Sequence, residues 1–435
     1  MLLRQTRPRR LLSKTKEMPE RGVGNRLDGK VWVVSELYYP EGGTGYFLTN
    51  IAEDLASPFH VHVLCGQPTY YARGIRAPAH EVRNGVHIRR CFSTTLNKDR
   101  MLYRLFNLIT LTASVFWNAL VHLRRGDIAI VVTNPPTLPF VIYVAAWIHR
   151  TVCAVLVYDV YPDVLVAAGI IKQKGLSERI MDWAARWLLA RVEKIVVIGR
   201  DMESLVHAKC NRPIEDIVVI PNWGDVAAIR PMERGKVDLL KRLGLQEKFV
   251  VQYSGNMGRT HGLECLLESA VRLMNVPKIH FLFIGSGAKK EWLEREVSRQ
   301  GLSNVTILPP QPVDILGTTL NACDLAVISF VPGMAGISVP SRMYNILAAG
   351  KPILAAAEAD SELALVVLEE KVGWVVPPER PDEIVSHVLS AIDQPDLLDE
   401  MSKRARKVAV EKYSHAHVAS QYESLIYDMK SGTTV

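Results

Sequence analysis

The sequence predicts two doubly wound, Rossmann-like α/β domains facing each other across a cleft. Three observations carry this. The chain has 435 residues, 48% of them hydrophobic, which is more than one ordinary core holds and suits two or three domains. Short β-branched runs alternate with helical stretches from residue 31 onward, and the runs are nearly continuous in apolar character, as in parallel sheets covered on both faces. The runs fall into two sets of six with a break between them.

The first set is 31–35 (VWVVS), 61–65 (VHVLC), 128–133 (IAIVVT), 153–158 (CAVLVY), 194–198 (KIVVI) and 217–220 (IVVI). The second is 249–253 (FVVQY), 279–284 (IHFLFI), 305–308 (VTIL), 325–329 (LAVIS), 353–356 (ILAA) and 373–376 (GWVV). A single barrel needs eight regularly repeated units, a spacing these runs lack. No repeat of solenoid length is visible. The break is polar and carries Pro231 and Gly235. The expected organisation is a first domain over 30–222, a linker over 223–247, a second domain over 248–411 and a last segment over 412–435.

The formal net charge is +7, and its location decides its meaning. Residues 1–30 carry nine Lys/Arg against Glu17, Glu20 and Asp28. That segment therefore accounts for +6 of the +7, and the body is nearly neutral, which argues against a nucleic-acid partner. Residues 1–29 read as a basic, disordered tail, or as a weak contact to anionic lipid. The first residues lack the apolar stretch of a signal peptide. Six scattered cysteines without a C-x-x-C pair read as reduced core residues of a cytoplasmic protein, not as a metal cage or a disulfide framework.

Residues 101–123 (MLYRLFNLITLTASVFWNALVHL) form a long helical stretch interrupted by Asn107, Thr110, Thr112, Ser114, Asn118 and His122. Three placements suit it: a buried core helix, an interfacial membrane helix, or a span. Residues 135–149 follow a strand, carry three prolines and read as a loop with a covering helix.

Candidate site residues lie where strands run into helices, because ligands in such folds bind beyond the carboxyl ends of strands. After the first strand, Gly42, Gly43 and Gly45 precede a helix with Phe47, Ile51 and Leu55 on one face. Glycines there let backbone N–H groups approach an anion, although the same residues also make a tight turn, and the spacing is not the dinucleotide fingerprint. In the second half, Gly255, Asn256, Gly258, Arg259 and His261 follow one strand, and Gly285 and Gly287 follow the next. On consecutive strands of one sheet, the two loops suit one phosphate-bearing ligand. Residues 336–352 (GISVPSRMYNILAAGKP) place Ser341, Arg342 and Asn345 at a helix start. Arginine offers phosphate a bidentate fork, and Asn345 stands one turn on, within reach of ribose hydroxyls. Asp159 and Asp163 in YDVYPD follow the fourth strand of the first set. They suit an acceptor hydroxyl, or equally helix capping and turn formation.

With these motifs together, YYPEGGTG, YDVYPD, YSGNMGRTHGLE, FIGSG, PPQP and SVPSRMYNILAAGKP, the chain resembles the family-4 glycosyltransferases of the two-domain GT-B fold. It is most similar to the WbuB/WcaI-like group of bacterial surface-polysaccharide enzymes. The resemblance covers about residues 30–430. It implies an acceptor-binding first domain, a sugar-nucleotide-binding second domain, and a final helix near 412–430 that crosses back to the first. It further implies transfer of a hexose-type sugar with retention of configuration, from a UDP or GDP donor, with UDP favoured. No metal or other cofactor is implied. The acceptor expected from the resemblance is a polyprenyl-diphosphate-linked glycan at the cytoplasmic face of the plasma membrane, with peripheral attachment. The glycine loops at 42–45 and 255–258 would meet the donor diphosphate, with Arg259 and Arg342 neutralising it and Asn345 on the ribose.

The departures are specific. The family's Arg and Lys after the second-domain glycine correspond to Asn256 and His261. Its paired glutamates correspond to Ile337 and Asn345, and its His before the first-domain acid to Tyr158. These losses keep a non-catalytic nucleotide-sugar-binding partner in view. A sugar-nucleotide epimerase on the same fold is the other alternative, although it would need several carboxylates converging on the sugar and few stand at strand ends here. Turnover with a donor panel separates all three.

Overall fold

A computed structural model describes residues 29–68, 76–96 and 101–431, excluding the side chain of Met101. The basic N-terminal segment read from the sequence lies, up to residue 28, outside these residues. In the first domain the strands are β1 (Lys30–Val34), β2 (His60–Cys65), β3 (His80–Arg83), β4 (Val86–Arg90), β5 (Ile128–Val132), β6 (Val152–Val157), β7 (Lys194–Val197) and β8 (Ile217–Val219). They form one sheet in the order β3-β4-β2-β1-β5-β6-β7-β8. The second domain has β9 (Phe249–Asn256), β10 (Ile279–Ser286), β11 (Val305–Leu308), β12 (Leu325–Ser329), β13 (Ile353–Ala356) and β14 (Gly373–Val376), in the order β11-β10-β9-β12-β13-β14.

Parallel neighbours need a crossover, and helices supply it. The first domain carries α1 (Thr44–Leu55), α2 (Met101–His122), α3 (Leu138–His149), α4 (Asp163–Ala167), α5 (Leu176–Leu189) and α6 (Arg200–Cys210). The rest of the chain carries α7 (Asp238–Leu243), α8 (Leu263–Arg272), α9 (Lys290–Gln300), α10 (Leu316–Asn321), α11 (Arg342–Ala348), α12 (Glu362–Glu369), α13 (Pro381–Ile392), α14 (Pro395–Glu411) and α15 (His415–Ser431). Strands β5 and β12 are buried at every residue, as expected of strands covered on both faces. All six cysteines are buried and free.

The β3–β4 hairpin is an addition to the strands expected from the sequence. It is the antiparallel pair of the first sheet, closed by Asn84 and Gly85, both at positive φ. An Asn-Gly turn of this kind is a strong hairpin signal. β4 buries only alternate residues and β3 none, so they escape a search for continuous apolar runs.

Within residues 223–247, expected to be a linker, Trp223 packs in the first core and the stretch from Ile229 to Leu245 joins the second. Ile229, Val237, Leu239, Leu240 and Leu245 are buried there, because α7 and its approach offer an apolar face to the second sheet. The chain crosses between the domains at 222–225 and again at 412–415. The two crossings pair, with Gly224 N–H donating to the Tyr413 carbonyl at 2.9 Å. From there α15 buries Val418, Tyr422, Leu425, Ile426 and Met429 in the core of the first domain.

A polar clamp also joins the domains at the start of α6. Arg200 Nε lies 2.9 Å from Glu362 Oε2 and Arg200 Nη1 2.8 Å from Glu369 Oε2. Asp201 Oδ2 accepts from the backbone N–H groups of Gly336 and Glu362, each at 2.9 Å. Helix α2 lies on the surface and is not a buried core helix. Leu111, Val115 and Ala119 are buried, whereas Leu102, Leu105, Phe106, Ile109, Trp117 and Val121 are exposed. The buried Asn107 is satisfied by Thr94 and Leu96.

Candidate functional site

Each parallel sheet has a switch point, between β1 and β5 and between β9 and β12, where chain connections leave to opposite sides and open a crevice. The second-domain crevice is built from two glycine loops. Gly255 at the end of β9 sits opposite Gly285 of β10, with φ of 147° and 150°. A Cβ on Gly285 would stand 1.9 Å from the Gly255 carbonyl oxygen. Glycine is therefore required for close packing of the two loops. Gly287 packs on the Met257 carbonyl in the same way, and Gly258 lies against the His261 ring.

Arg342, the first residue of α11 after the N-cap Ser341, fills the space that a side chain at 255 would take. A Cβ there would lie 2.7 Å from Arg342 Nη1. The guanidinium lies over the Tyr253 ring, 4.6 Å from its centroid, and Nη1 donates to the Tyr253 hydroxyl at 2.8 Å. That hydroxyl donates to the Asn256 carbonyl at 2.5 Å. Arg342 is thus held on one edge, while its Nε and Nη2 are buried without a hydrogen-bond partner. Buried donors left unmade are costly, and an anion in the crevice would complete them.

His261 stands beside this group, with its ring 5.7 Å from that of Phe330. Burial, then the charges of Arg342 and Lys289, push its imidazole down to about 3. It is a neutral hydrogen-bonding ring at pH 7. Lys289 was not among the sequence candidates. Its ammonium bridges Glu264 at 2.5 and 2.7 Å and its backbone N–H donates to the Met257 carbonyl at 2.9 Å. The available signal was its place two residues beyond Gly287. Arg259, expected to share the neutralisation, is exposed on its loop and takes no part in this cluster. Asn256 is exposed at the strand end. Asn345, expected on the ribose, has its Oδ1 engaged by the Asp225 N–H at 3.1 Å. It ties α11 to the interdomain crossing.

On the first-domain side, Gly43 is the N-cap of α1 and Gly45 packs on the buried Glu41. Asp159 follows β6, and its backbone bridges Ser338 of the second domain. Burial raises its carboxyl above the usual range, opposed by a hydrogen bond from Ser338. Tyr161 is shifted up by burial, then by Asp159 and Glu36. Glu36, two residues after β1, thus joins this wall and was also missed by the sequence reading. Asp163, expected to serve the acceptor, is committed elsewhere. Its Oδ2 lies 2.8 Å from Lys209 Nζ, which also meets Asp182 at 2.6 Å. Asp163 opens α4 and is drawn to the end of α6 by that nearly buried ammonium.

The family departures have local explanations. Ile337 is buried and its carbonyl accepts the Val160 N–H at 3.0 Å, which zips the loop before α11 to the first domain. Tyr158 is buried, with its hydroxyl 3.4 Å from Asn222 Oδ1. Burial pushes that phenol well above its ordinary value, so it stays a neutral hydroxyl at pH 7.

Residues 42–223 match the family described as "Glycosyl transferase 4-like domain", and residues 238–408 match "Glycosyl transferases group 1". The chain is 32% identical over 307 residues to the probable glycosyltransferase WbjE of Pseudomonas aeruginosa, covering 68% of this chain and 75% of that protein. It is a family-4 glycosyltransferase. It is also 28% identical over 410 residues to WcaI of Escherichia coli (strain K12), a putative colanic acid biosynthesis glycosyl transferase, covering 90% of this chain and 98% of that one. In fold it is similar to Anabaena HepE, solved with UDP-glucose, at a TM-score of 0.70 and 16% identity over 92% of this chain and 99% of that one. The two parallel-sheet domains are those of the GT-B fold. In this glycosyltransferase the glycine loops and Arg342 lie in the group-1 region, and Asp159 lies in the 4-like region.

Proposed function

We propose that this glycosyltransferase transfers a hexose from a UDP-sugar, in preference to a GDP-sugar, to a lipid-linked glycan during bacterial surface-polysaccharide synthesis. Configuration is retained and no metal is used. The observation that carries the donor side is Arg342, held by Tyr253 with two buried N–H-bearing atoms unpartnered. A sugar diphosphate brings about two negative charges that are costly to place in a crevice without partners. Arg342 offers two donors to one phosphate, Lys289 adds a second cation and His261 a neutral hydrogen bond. Backbone N–H groups of the bare glycine loops complete the cradle. Asp159 orients the acceptor hydroxyl from the opposite wall. The colanic acid assignment of WcaI supports the polysaccharide pathway, and the UDP-glucose in HepE supports the donor class.

Membrane association belongs to the same proposal. Trp117 of α2, Trp147 of α3 and Trp183 of α5 are 68%, 72% and 68% exposed, as indoles at a lipid interface are. The 102–122 stretch is long and apolar enough to cross a membrane by length and composition, and 22% of its 18-residue apolar window is buried. Its exposed stripe supports a helix lying in the cytoplasmic interface, with the body peripherally attached. The deciding experiment incubates the purified protein with a panel of UDP- and GDP-sugars and a membrane lipid extract. The expected result is nucleotide release coupled to a glycolipid whose anomeric configuration matches the donor. Inverted product, epimerised free donor or binding without turnover would each overturn the reading. Flotation tests the membrane part. A folded Leu105→Ser, Phe106→Ser, Trp117→Ser variant should float less well than wild type.

A further inference from the structure

A second pocket lies far from the crevice, against the opposite half of the first sheet. On one face of β2 and β4 the alternate residues include His60, His62, His87 and Arg89 instead of a continuous apolar surface. Their registers line up Trp32, His62, His87 and Val82 across four strands. The Trp32 and His62 rings lie 4.7 Å apart and the His62 and His87 rings 4.8 Å apart. Val121 and His122 at the C-terminal end of α2, with Arg124 just beyond it, wall this floor around a volume of about 590 Å³.

The pocket is crowded with cations. Lys30, Arg89 and Arg124 line it, and Glu81 is its one lining carboxylate, already paired with Arg90 at 3.1 Å. Burial, then Lys30, His87, His60 and Arg89, push the His62 imidazole down to about 4. Among the described residues no group of three or more His, Cys, Asp or Glu is placed to hold a metal ion, so the histidines are not a cation site. The three fixed positive charges outnumber the neighbouring carboxylates, which are Glu81 and the buried Asp127 that accepts from the Trp32 indole N–H at 2.9 Å, so an anion entering the cavity is favoured.

We propose that this pocket seats the phosphate of an anionic phospholipid headgroup when the exposed stripe of α2 lies on the membrane. The proposal rests on the membrane association proposed above and names the lipid chemistry that this association selects. Continuity argues for lipid over a free anion. The pocket opens where α2 exposes Trp117 and Val121, so a headgroup there has its acyl chains beside the apolar stripe. The helix and its continuation add Arg124 and Arg125 and carry no acidic residue from 101 to 126.

The test uses the full-length protein with vesicles of phosphatidylcholine alone or mixed with phosphatidylglycerol. Each cation near an anionic surface contributes about fivefold in partitioning. A Lys30→Gln, Arg89→Gln, Arg124→Gln variant should therefore lose on the order of a hundredfold of the phosphatidylglycerol-dependent gain, while binding to phosphatidylcholine alone stays at the wild-type level. Neutralising Lys403 and Lys407 of α14 should leave the gain intact. A gain that survives in the pocket variant would overturn the proposal. Failure of wild type to bind either vesicle would instead sink the membrane reading beneath it. Inorganic phosphate binding calorimetrically to wild type, with no gain on phosphatidylglycerol vesicles, would assign the pocket to a free anion and refute the lipid. A second measurement needs no variant. A photoactivatable phosphatidylglycerol should crosslink wild type within residues 80–89 or 121–124, and labelling confined to other segments would count against the pocket.

Discussion

Replacing Arg342 by alanine should weaken nucleotide binding with little effect on the stability of the free protein. The guanidinium makes one hydrogen bond, to the Tyr253 hydroxyl at 2.8 Å, and leaves Nε and Nη2 buried without acceptors. Removing the group from the ligand-free protein deletes one hydrogen bond but also two unmet desolvation costs, each about 1–3 kcal/mol. The melting temperature should accordingly stay close to wild type. In the complex the same deletion strips a desolvated phosphate of a charged partner, which costs about 2–5 kcal/mol. That corresponds to a dissociation constant raised roughly 30-fold or more. Arg342→Lys should recover only part, because lysine cannot present a planar fork. Tyr253→Phe keeps the ring beneath the cation and removes its anchor. It should weaken binding by roughly ten- to a hundredfold, the worth of one charge-assisted hydrogen bond. Calorimetric titration of UDP and GDP into the three variants, beside their thermal melts, decides it. Unchanged affinity in Arg342→Ala would refute the donor-site assignment. A collapse of the ligand-free melting temperature would show that the arginine is a structural cation.

Other outcomes follow from the same geometry. Asp159→Asn should lower turnover by about 10²- to 10⁴-fold, the usual range for a positioned acid or base, with nucleotide affinity intact; loss of nucleotide binding would contradict its acceptor role. Asp163→Asn should leave turnover near wild type and cost on the order of 1 kcal/mol of stability, since Lys209 keeps Asp182; a large catalytic loss with unchanged melting would reverse that conclusion. His415 Nε2 lies 2.6 Å from Asp54 Oδ2, and this hydrogen bond raises the imidazole above its ordinary 6.5. Its contribution is complete below about pH 6.5 and is lost as pH rises through the higher folded value. Melting temperature should fall across that window in wild type and much less in His415→Gln. Glu362→Gln removes the charge that meets Arg200 between the domains and should weaken that contact by about 2 kcal/mol. Small-angle scattering should report a more open pair of domains, and an unchanged profile would show that the crossings at 222–225 and 412–415 suffice.

Fold class was legible because strand and helix alternation is written locally. A run such as IAIVV at β5 is buried on both faces and has no polar alternation to confuse it. The glycine loops were legible for a similar reason, because backbone approach at Gly255 and Gly285 excludes every side chain and so leaves a mark in the sequence. The hairpin at β3 and β4 was missed, although its Asn-Gly turn was there to read, because its strands are half exposed.

What the sequence by itself determined is therefore the two-domain α/β architecture, the family and the loops that bear the crevice. The tertiary structure decided which polar side chains are free to act. Asp159 and Asp163 are four residues apart in one motif, yet one bridges Ser338 across the cleft and the other is captured by Lys209 from a helix 46 positions away. Arg259 and Arg342 carry the same charge, yet only Arg342 is set on Tyr253 beside Gly255. Asn345 looks like a ribose ligand until the Asp225 backbone takes its oxygen. The physical reason is that burial and partner choice depend on distant segments meeting, whereas backbone geometry and apolar periodicity are dictated by neighbours in sequence.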